Sequence, residues 1–290
     1  MQLKGADRLY TAMPNTWDET INTRSYDKVE AVSNFKTSED VDKYCKLQVM
    51  KSVSQAAFIK EVCFKGKKLR VLEYCSGNSR LLYTLNAGEI LSTGIGIEIS
   101  KTRYEFAESW RKRLGLESIQ NINGDAIDVR VVSPCVDVAL CVTGAFQYMF
   151  PRSSMYDTIF MHAVRRSLVP GGHLILELYN HPTPVAACMM SDTGEYRSWY
   201  ELPESDPFRY YLTHYNYIPA TKTLDAKEIF VRRDGWIDDS KREVLRLYSP
   251  SEITDLLETS GFKTVGFFGG WDSRKADALS DKNVIVGMAV

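Results

Sequence analysis

The residues best placed to do chemistry sit where apolar runs give way to turns. Leu69-Arg-Val-Leu-Glu-Tyr74 breaks into the small polar turn Cys75-Ser-Gly-Asn-Ser79 and then resumes as a helical pattern. An acid at a strand end, Glu73, followed by small residues at a helix N-terminus, makes a site for the polar part of a nucleoside cofactor. A second apolar run, residues 93–99, ends at Glu98 and Ile99, and the Glu98 carboxylate can accept two hydrogen bonds from ribose hydroxyls. Gly124-Asp125-Ala126 follows a short third run, residues 119–123, and Thr143 leaves a fourth, residues 136–142, that closes on Val142. His181, just past a fifth run at residues 173–179, and His214 further on are the histidines open to a general-base role. His162 and His173 fall in a helix and at a strand start, where a structural role suffices.

The elements that must position these residues alternate. Apolar positions from Val41 to Val62 give a one-sided helix or helix pair over residues 41–64, and further helical patterns cover residues 101–114 and 153–168. Ser100 suits the start of one of these helices and Gly115 its end, while Val169-Pro-Gly-Gly172 reads as a helix stop and turn. Residues 136–142, VDVALCV, are nearly all apolar, as a central parallel strand should be. Strands alternating with helices predict an α/β fold with a parallel sheet that binds ligands at the carboxyl ends of its strands.

Beyond residue 180 that rhythm stops. Residues 180–207 are rich in Pro, Met and Ser, and extended runs follow at 208–218, 223–233 and 241–247, with a turn at Asp234-Gly235. They read as an antiparallel patch laid over the sheet, its tyrosines Tyr210, Tyr211, Tyr215 and Tyr217 building a cover. A helix over residues 251–259 and two strands, 262–268 and 283–290, close the chain.

Composition bounds the function. The chain has 290 residues, 44% hydrophobic and 25% charged, enough to bury one full α/β core. A net charge of −1 gives no general electrostatic reason to bind nucleic acid or an anionic membrane. Six cysteines without C-x-x-C spacing fit a reducing cytoplasm, and neither a signal-peptide core nor an apolar run near the roughly 20 residues of a membrane span is present.

The turn from Glu73 to Ser79 resembles motif I of the class I S-adenosylmethionine (SAM) methyltransferases, an acid followed by three spaced glycines. Here the glycine slots hold Cys75, Gly77 and Ser79. A Cβ in the left-handed region costs on the order of 1–2 kcal/mol, so at least one of Cys75 and Ser79 is expected at ordinary negative φ. Leu168-Val-Pro-Gly-Gly-His-Leu-Ile-Leu resembles the block before strand five of that family. Gly124-Asp125-Ala126 resembles its motif in which an Asp accepts from the adenine amino group and the next residue's backbone contacts the ring. Trp17-Asp-Glu with Ser25-Tyr-Asp27 resembles the N-terminal region where an aromatic ring lies over SAM, and the closing helix and antiparallel strand pair resemble the family's last unit.

The resemblance covers residues 69–180 and 243–290. It implies a seven-stranded Rossmann-like methyltransferase sheet with an antiparallel seventh strand and a small antiparallel substrate-cover insertion. Residues 1–66 form an arm and helices capping the cofactor site, 67–179 the SAM-binding core, 180–248 the cover, and 249–290 the closing helix and hairpin. The residues implied around SAM are Tyr26, Glu73, Cys75, Gly77, Glu98, Ile99, Asp125, Ala126, Val142 and Thr143. His181, His214 and Tyr148 are the base candidates; Tyr148 stands about where some bacterial amino-sugar and natural-product methyltransferases carry a His. Cys141-Val-Thr-Gly-Ala-Phe146 lacks the Asn/Asp-Pro-Pro-Tyr pattern of nucleic-acid and glutamine enzymes, and no acid set for a metal appears. The expected activity is therefore methyl transfer to an oxygen or nitrogen of a small molecule, without metal, nucleic acid or membrane. A homodimer is compatible with the sequence. The alternatives are a SAM-binding relative without methyl transfer and a nicotinamide-dependent Rossmann oxidoreductase.

Overall fold

The computed structural model describes residues 35, 37–128, 135–204 and 208–290, Ser240 by its backbone alone. Tyr26 and the other aromatics of the N-terminal arm before Phe35 lie outside the described residues. Helix α1 (Ser38–Cys63) opens on a reciprocal cap: Thr37 Oγ1 accepts from Asp40 N at 3.1 Å, and the Asp40 carboxylate accepts from Thr37 N at 3.0 Å. It is one continuous helix, and its buried face is not purely apolar. Gln48, Ser52 and Gln55 are buried while Leu47 and Val53 are more than half exposed, the reverse of what an apolar stripe predicts.

The chain then alternates β1 (Leu69–Tyr74), α2 (Arg80–Ala87), β2 (Leu91–Glu98), α3 (Lys101–Leu114), β3 (Ile119–Asn123), β4 (Val136–Cys141), α4 (Tyr156–Ser167) and β5 (Leu168–Tyr179). With β10 (Phe262–Phe268) and β11 (Lys282–Ala289) these strands make a seven-stranded sheet of order β10-β11-β5-β4-β1-β2-β3. β1 to β5 pair in parallel, and β11 runs antiparallel to both β5 and β10.

Period-two alternation sorts the sheet's side chains into two cores. Leu72, Tyr74, Ala139, Cys141, Leu174 and Leu176 face Phe160, Met161 and Val164 of α4 and Ile253 and Leu257 of α6 (Pro250–Thr259). Val71, Val138, Leu140 and Ile175 face Phe58 and Ile59 of α1, Leu81 and Leu82 of α2, and Phe106 and Trp110 of α3. β5 starts five residues before the sequence reading puts it. Leu168 already pairs with Val136, and the register slips between Val136 and Val138, so the Pro-Gly-Gly segment is an irregularity within the strand.

The insertion holds more regular structure than its composition suggests. Helix α5 (Pro182–Met190) leads into a second, four-stranded antiparallel sheet: β6 (Glu195–Glu201), β7 (Phe208–Ile218), β8 (Thr223–Arg232) and β9 (Ile237–Arg246). Cross-strand charges lace it, with Arg242 bidentate on Asp225 at 2.5 and 2.9 Å and Lys241 on Glu228 at 2.5 Å. No helix among the described residues is long and apolar enough to cross a membrane.

Candidate cofactor and substrate cavity

The sheet order reverses between β1 and β4, which leaves a crevice at the carboxyl ends of those strands. A cavity of about 590 Å³ lies there, within the size range of small-molecule sites. Cys75, Glu98, Ile99, Asp125, Ala126 and Thr143 form its wall on the main sheet, and Glu228, Lys241 and Glu243 of the second sheet form the opposite wall.

The motif I turn corrects one expectation. Cys75 (φ 55°), Gly77 (φ 57°) and Ser79 (φ 58°) are all left-handed, so both substituted glycine slots keep the glycine backbone. The strain is offset by a local network. Ser76 N donates to Ile97 O at 2.8 Å, Ser79 Oγ donates to Asn121 Oδ1 at 2.6 Å, and Gly77 N donates to Glu98 Oε2 at 2.7 Å. The Cys75 thiol, beside that of Cys141 and shielded from water, is held well above its ordinary pKa and stays neutral. Thr143 (φ 58°) and His181 (φ 47°) are left-handed too, at the ends of β4 and β5. Among the described residues, three of the seven strained non-glycine positions, Cys75, Thr143 and His181, line this cavity, the clustering expected where a scaffold holds a ligand site.

Each predicted polar ligand has a defined setting. Glu98 is buried and borders the cavity, its second oxygen accepting from Ser100 N at 2.8 Å, so each carboxylate oxygen has accepting capacity left. Asp125 is clasped by Arg152, Nη2 at 2.5 Å and Nη1 at 3.2 Å, and accepts from Ile127 N at 3.2 Å. Thr143 N donates to Oε2 of Glu177, a carboxylate only 1% exposed that also receives Trp271 Nε1 at 2.8 Å and Lys282 Nζ at 2.9 Å. Gly77, Val142 and Glu73 do not line the cavity: Gly77 is buried against the Arg103 guanidinium, Val142 is 4% exposed at the end of the β4 run, and Glu73 is buried beneath the turn.

The cavity's far end is built by Tyr148, Tyr179 and His181. Gln147, fully buried, accepts from Tyr179 N at 2.6 Å and donates to Tyr179 O and Arg246 O, each at 2.9 Å. One side chain thereby ties β5, the turn after β4 and the end of β9 together. Tyr148 Oη donates to Glu243 Oε2 at 3.1 Å, and the His181 ring lies 6.0 Å from Tyr179 and 6.5 Å from Tyr215. His214 is not brought to this place. Its Nε2 lies 3.2 Å from Glu195 in the β6–β7 ladder, on the face opposite the one that Tyr215 turns to His181.

Gly144 marks a tightly packed point beside the cavity. At φ 72°, a Cβ there meets Tyr179 ring carbons at 2.5 and 2.9 Å. Gly144→Ala is expected to destabilise the protein by about 2–3 kcal/mol, from left-handed strain plus the clash. Urea denaturation measures it, and a loss under about 0.5 kcal/mol contradicts the assigned packing.

Arg80 and Arg152 are cavity residues that the sequence did not single out, since charges on helices otherwise read as solvated faces. Glu177 carries a visible signal, a lone acid inside the apolar run HLILELY.

No protein-family model and no curated protein sequence matches the chain. Solved structures do. The CcbJ methyltransferase of Streptomyces caelestis aligns with a TM-score of 0.68 at 20% identity, over 82% of this chain and 89% of its own. A SAM-dependent methyltransferase of Clostridium acetobutylicum aligns at 0.69 and 15%, over 86% and 98%. An amino pentose methyltransferase of Micromonospora echinaspora, solved with SAM bound, aligns at 0.61 and 15%, over 88% and 98%. The seven-stranded order, its antiparallel edge and the second sheet set over the crevice therefore give this chain the fold of these SAM-dependent methyltransferases.

Proposed function

We propose that the protein is a SAM-dependent methyltransferase acting on an oxygen or nitrogen of a small molecule. The observation that carries this is the single cavity wall on which Glu98, Asp125, Thr143 and Cys75 of the motif I turn meet, faced by residues of a second sheet. SAM fits the residues present. Glu98 would offer its two oxygens to the ribose diol, Asp125 and Ala126 on the same wall would meet the adenine edge, and a Cβ on Gly96 would strike Ser79 and Ser76 Oγ at 2.7 and 2.8 Å, so the turn packs flush against β2. The six cysteines, none in a disulfide, suit a cytoplasmic setting.

When bound, SAM supplies a methyl group already made electrophilic by its sulfonium. The chain's own task is to hold an acceptor in line and keep water away, and such positioning supplies up to about 7–11 kcal/mol. Tyr148, Tyr179 and the wall of β8 and β9 do the holding. His181, its pKa lowered by burial, is neutral at pH 7 and able to take a proton from an acceptor that arrives protonated.

Calorimetric titration with SAM and with NADH tests the reading, followed by transfer of a labelled methyl group to candidate acceptors. Binding of SAM but not NADH is expected; the reverse excludes a methyltransferase. Glu98→Ala is expected to weaken SAM by about 1.5–3 kcal/mol through lost charge-assisted hydrogen bonds. Unchanged affinity in a folded Glu98→Ala protein removes Glu98 from the site.

A further inference from the structure

We infer that Arg80, aimed by Ser52 and Gln55, receives the carboxylate of the cofactor's amino-acid tail. The inference rests on the SAM reading above and adds to it a residue outside the acid series. Arg80 is the first residue of α2, directly after the motif I turn, and its side chain lines the cavity. Nη1 donates to Ser52 Oγ at 2.5 Å and to Gln55 Oε1 at 2.8 Å. Both acceptors belong to the buried polar face of α1, Ser52 fully buried and Gln55 only 3% exposed. The Gln55 amide is turned by a longer contact, its Nε2 lying 3.4 Å from Glu177 Oε2, so that its oxygen faces the guanidinium.

Neutral partners fix a guanidinium without neutralising it. Two other cations of the cavity are held by acids: Arg152 by Asp125 and Lys241 by Glu228, each at 2.5 Å. Among the described residues Arg80 donates to no carboxylate, and its Nε and Nη2 hydrogens remain for a ligand. The N-terminus of α2 adds little to this, since Arg80 N donates to Asn78 Oδ1 at 3.2 Å and Leu82 N to the Glu73 carboxyl, so the attraction is that of the guanidinium itself. A planar carboxylate suits this fork, because two parallel N–H bonds form at once. It also explains why Gln48, Ser52 and Gln55 are buried where α1 was expected to be apolar.

The test compares S-adenosylhomocysteine with 5′-methylthioadenosine, the same nucleoside thioether without the amino-acid tail, by calorimetry on the full chain. The wild type is expected to bind the former more tightly. Arg80→Ala is expected to weaken S-adenosylhomocysteine roughly 10- to 100-fold and leave methylthioadenosine unchanged, closing the gap between them. Arg80→Lys keeps part of the preference, and Gln55→Leu, which leaves the charge but not its aim, loses part of it. Normal methylthioadenosine binding also certifies that each variant is folded. If both ligands weaken equally in Arg80→Ala, Arg80 merely supports the turn and the inference is overturned. It is equally overturned if S-adenosylhomocysteine is unaffected, or if the wild type binds both ligands alike. A wild type that binds neither removes the SAM reading itself.

Discussion

His181→Asn is expected to lower turnover by roughly 10²–10⁴-fold while leaving the affinity for SAM unchanged. The histidine lines the cavity at the end of β5, held at φ 47° just before α5. Asparagine tolerates that backbone better than most residues, so the substitution removes the imidazole without adding a conformational penalty. Burial lowers the ring's pKa and outweighs the opposing pull of Glu243 and Glu228, which leaves the base form in place at neutral pH. The acid limb of the wild-type rate profile is therefore expected below pH 6.5, the ordinary histidine value, and should vanish in the variant. Tyr148 is a weaker candidate, because its hydroxyl hydrogen is already directed to Glu243. A loss of less than tenfold in His181→Asn, with the acid limb intact, removes the imidazole from proton transfer and leaves positioning alone.

The fate of the two histidines shows what was legible in the sequence. Both His181 and His214 follow the ligand edge of the sheet in chain order, but a strand turns successive side chains to opposite faces. With Tyr215 facing His181, His214 must point away, and pairing with Arg197 and Lys227 across the ladder fixes it there. The core strands are readable because parallel strands buried on both faces leave mostly apolar runs, as in LRVLEY and VDVALC, each broken only by isolated charges. β6 is not, since Glu195–Glu201 (EYRSWYE) is a largely exposed edge strand whose charges and rings follow no burial alternation. The prolines of PTPVAACMM disguised α5, although a proline at the first helical position is a start signal. The left-handed backbone at Cys75 and Ser79 is hidden for a different reason: the hydrogen bonds to Asn121, Ile97 and Glu98 that over-determine the turn reach acceptors 21 to 42 residues away in sequence.

Glu73→Gln is expected to stabilise the protein above neutral pH and to flatten its pH dependence. Glu73 lies at the end of β1 beneath the turn, only 3% exposed, and its Oε2 has no hydrogen-bond partner. Removal from water dominates, and neighbouring Glu98 adds to it, so the carboxyl is pushed up to about 8 despite the opposing pull of Arg80 and Arg103. The folded protein then keeps a proton that the unfolded chain releases near pH 4.5. Stability from this group is complete below that pH, falls as the pH rises toward 8, and is lost above it, by roughly 4–5 kcal/mol. Glutamine copies the shape of the protonated acid and cannot ionise. Urea midpoints at pH 5 and pH 8.5 check the prediction: the wild type should lose several kcal/mol between them beyond any loss in the variant. Parallel behaviour of the two proteins would show that Glu73 is ionised in the folded state, with water or a counter-charge reaching its second oxygen. Because the acid supports the turn through Leu82 as well, the variant should also retain SAM binding at pH 8.5, where ionisation of the wild-type carboxyl strains the floor of the cofactor site.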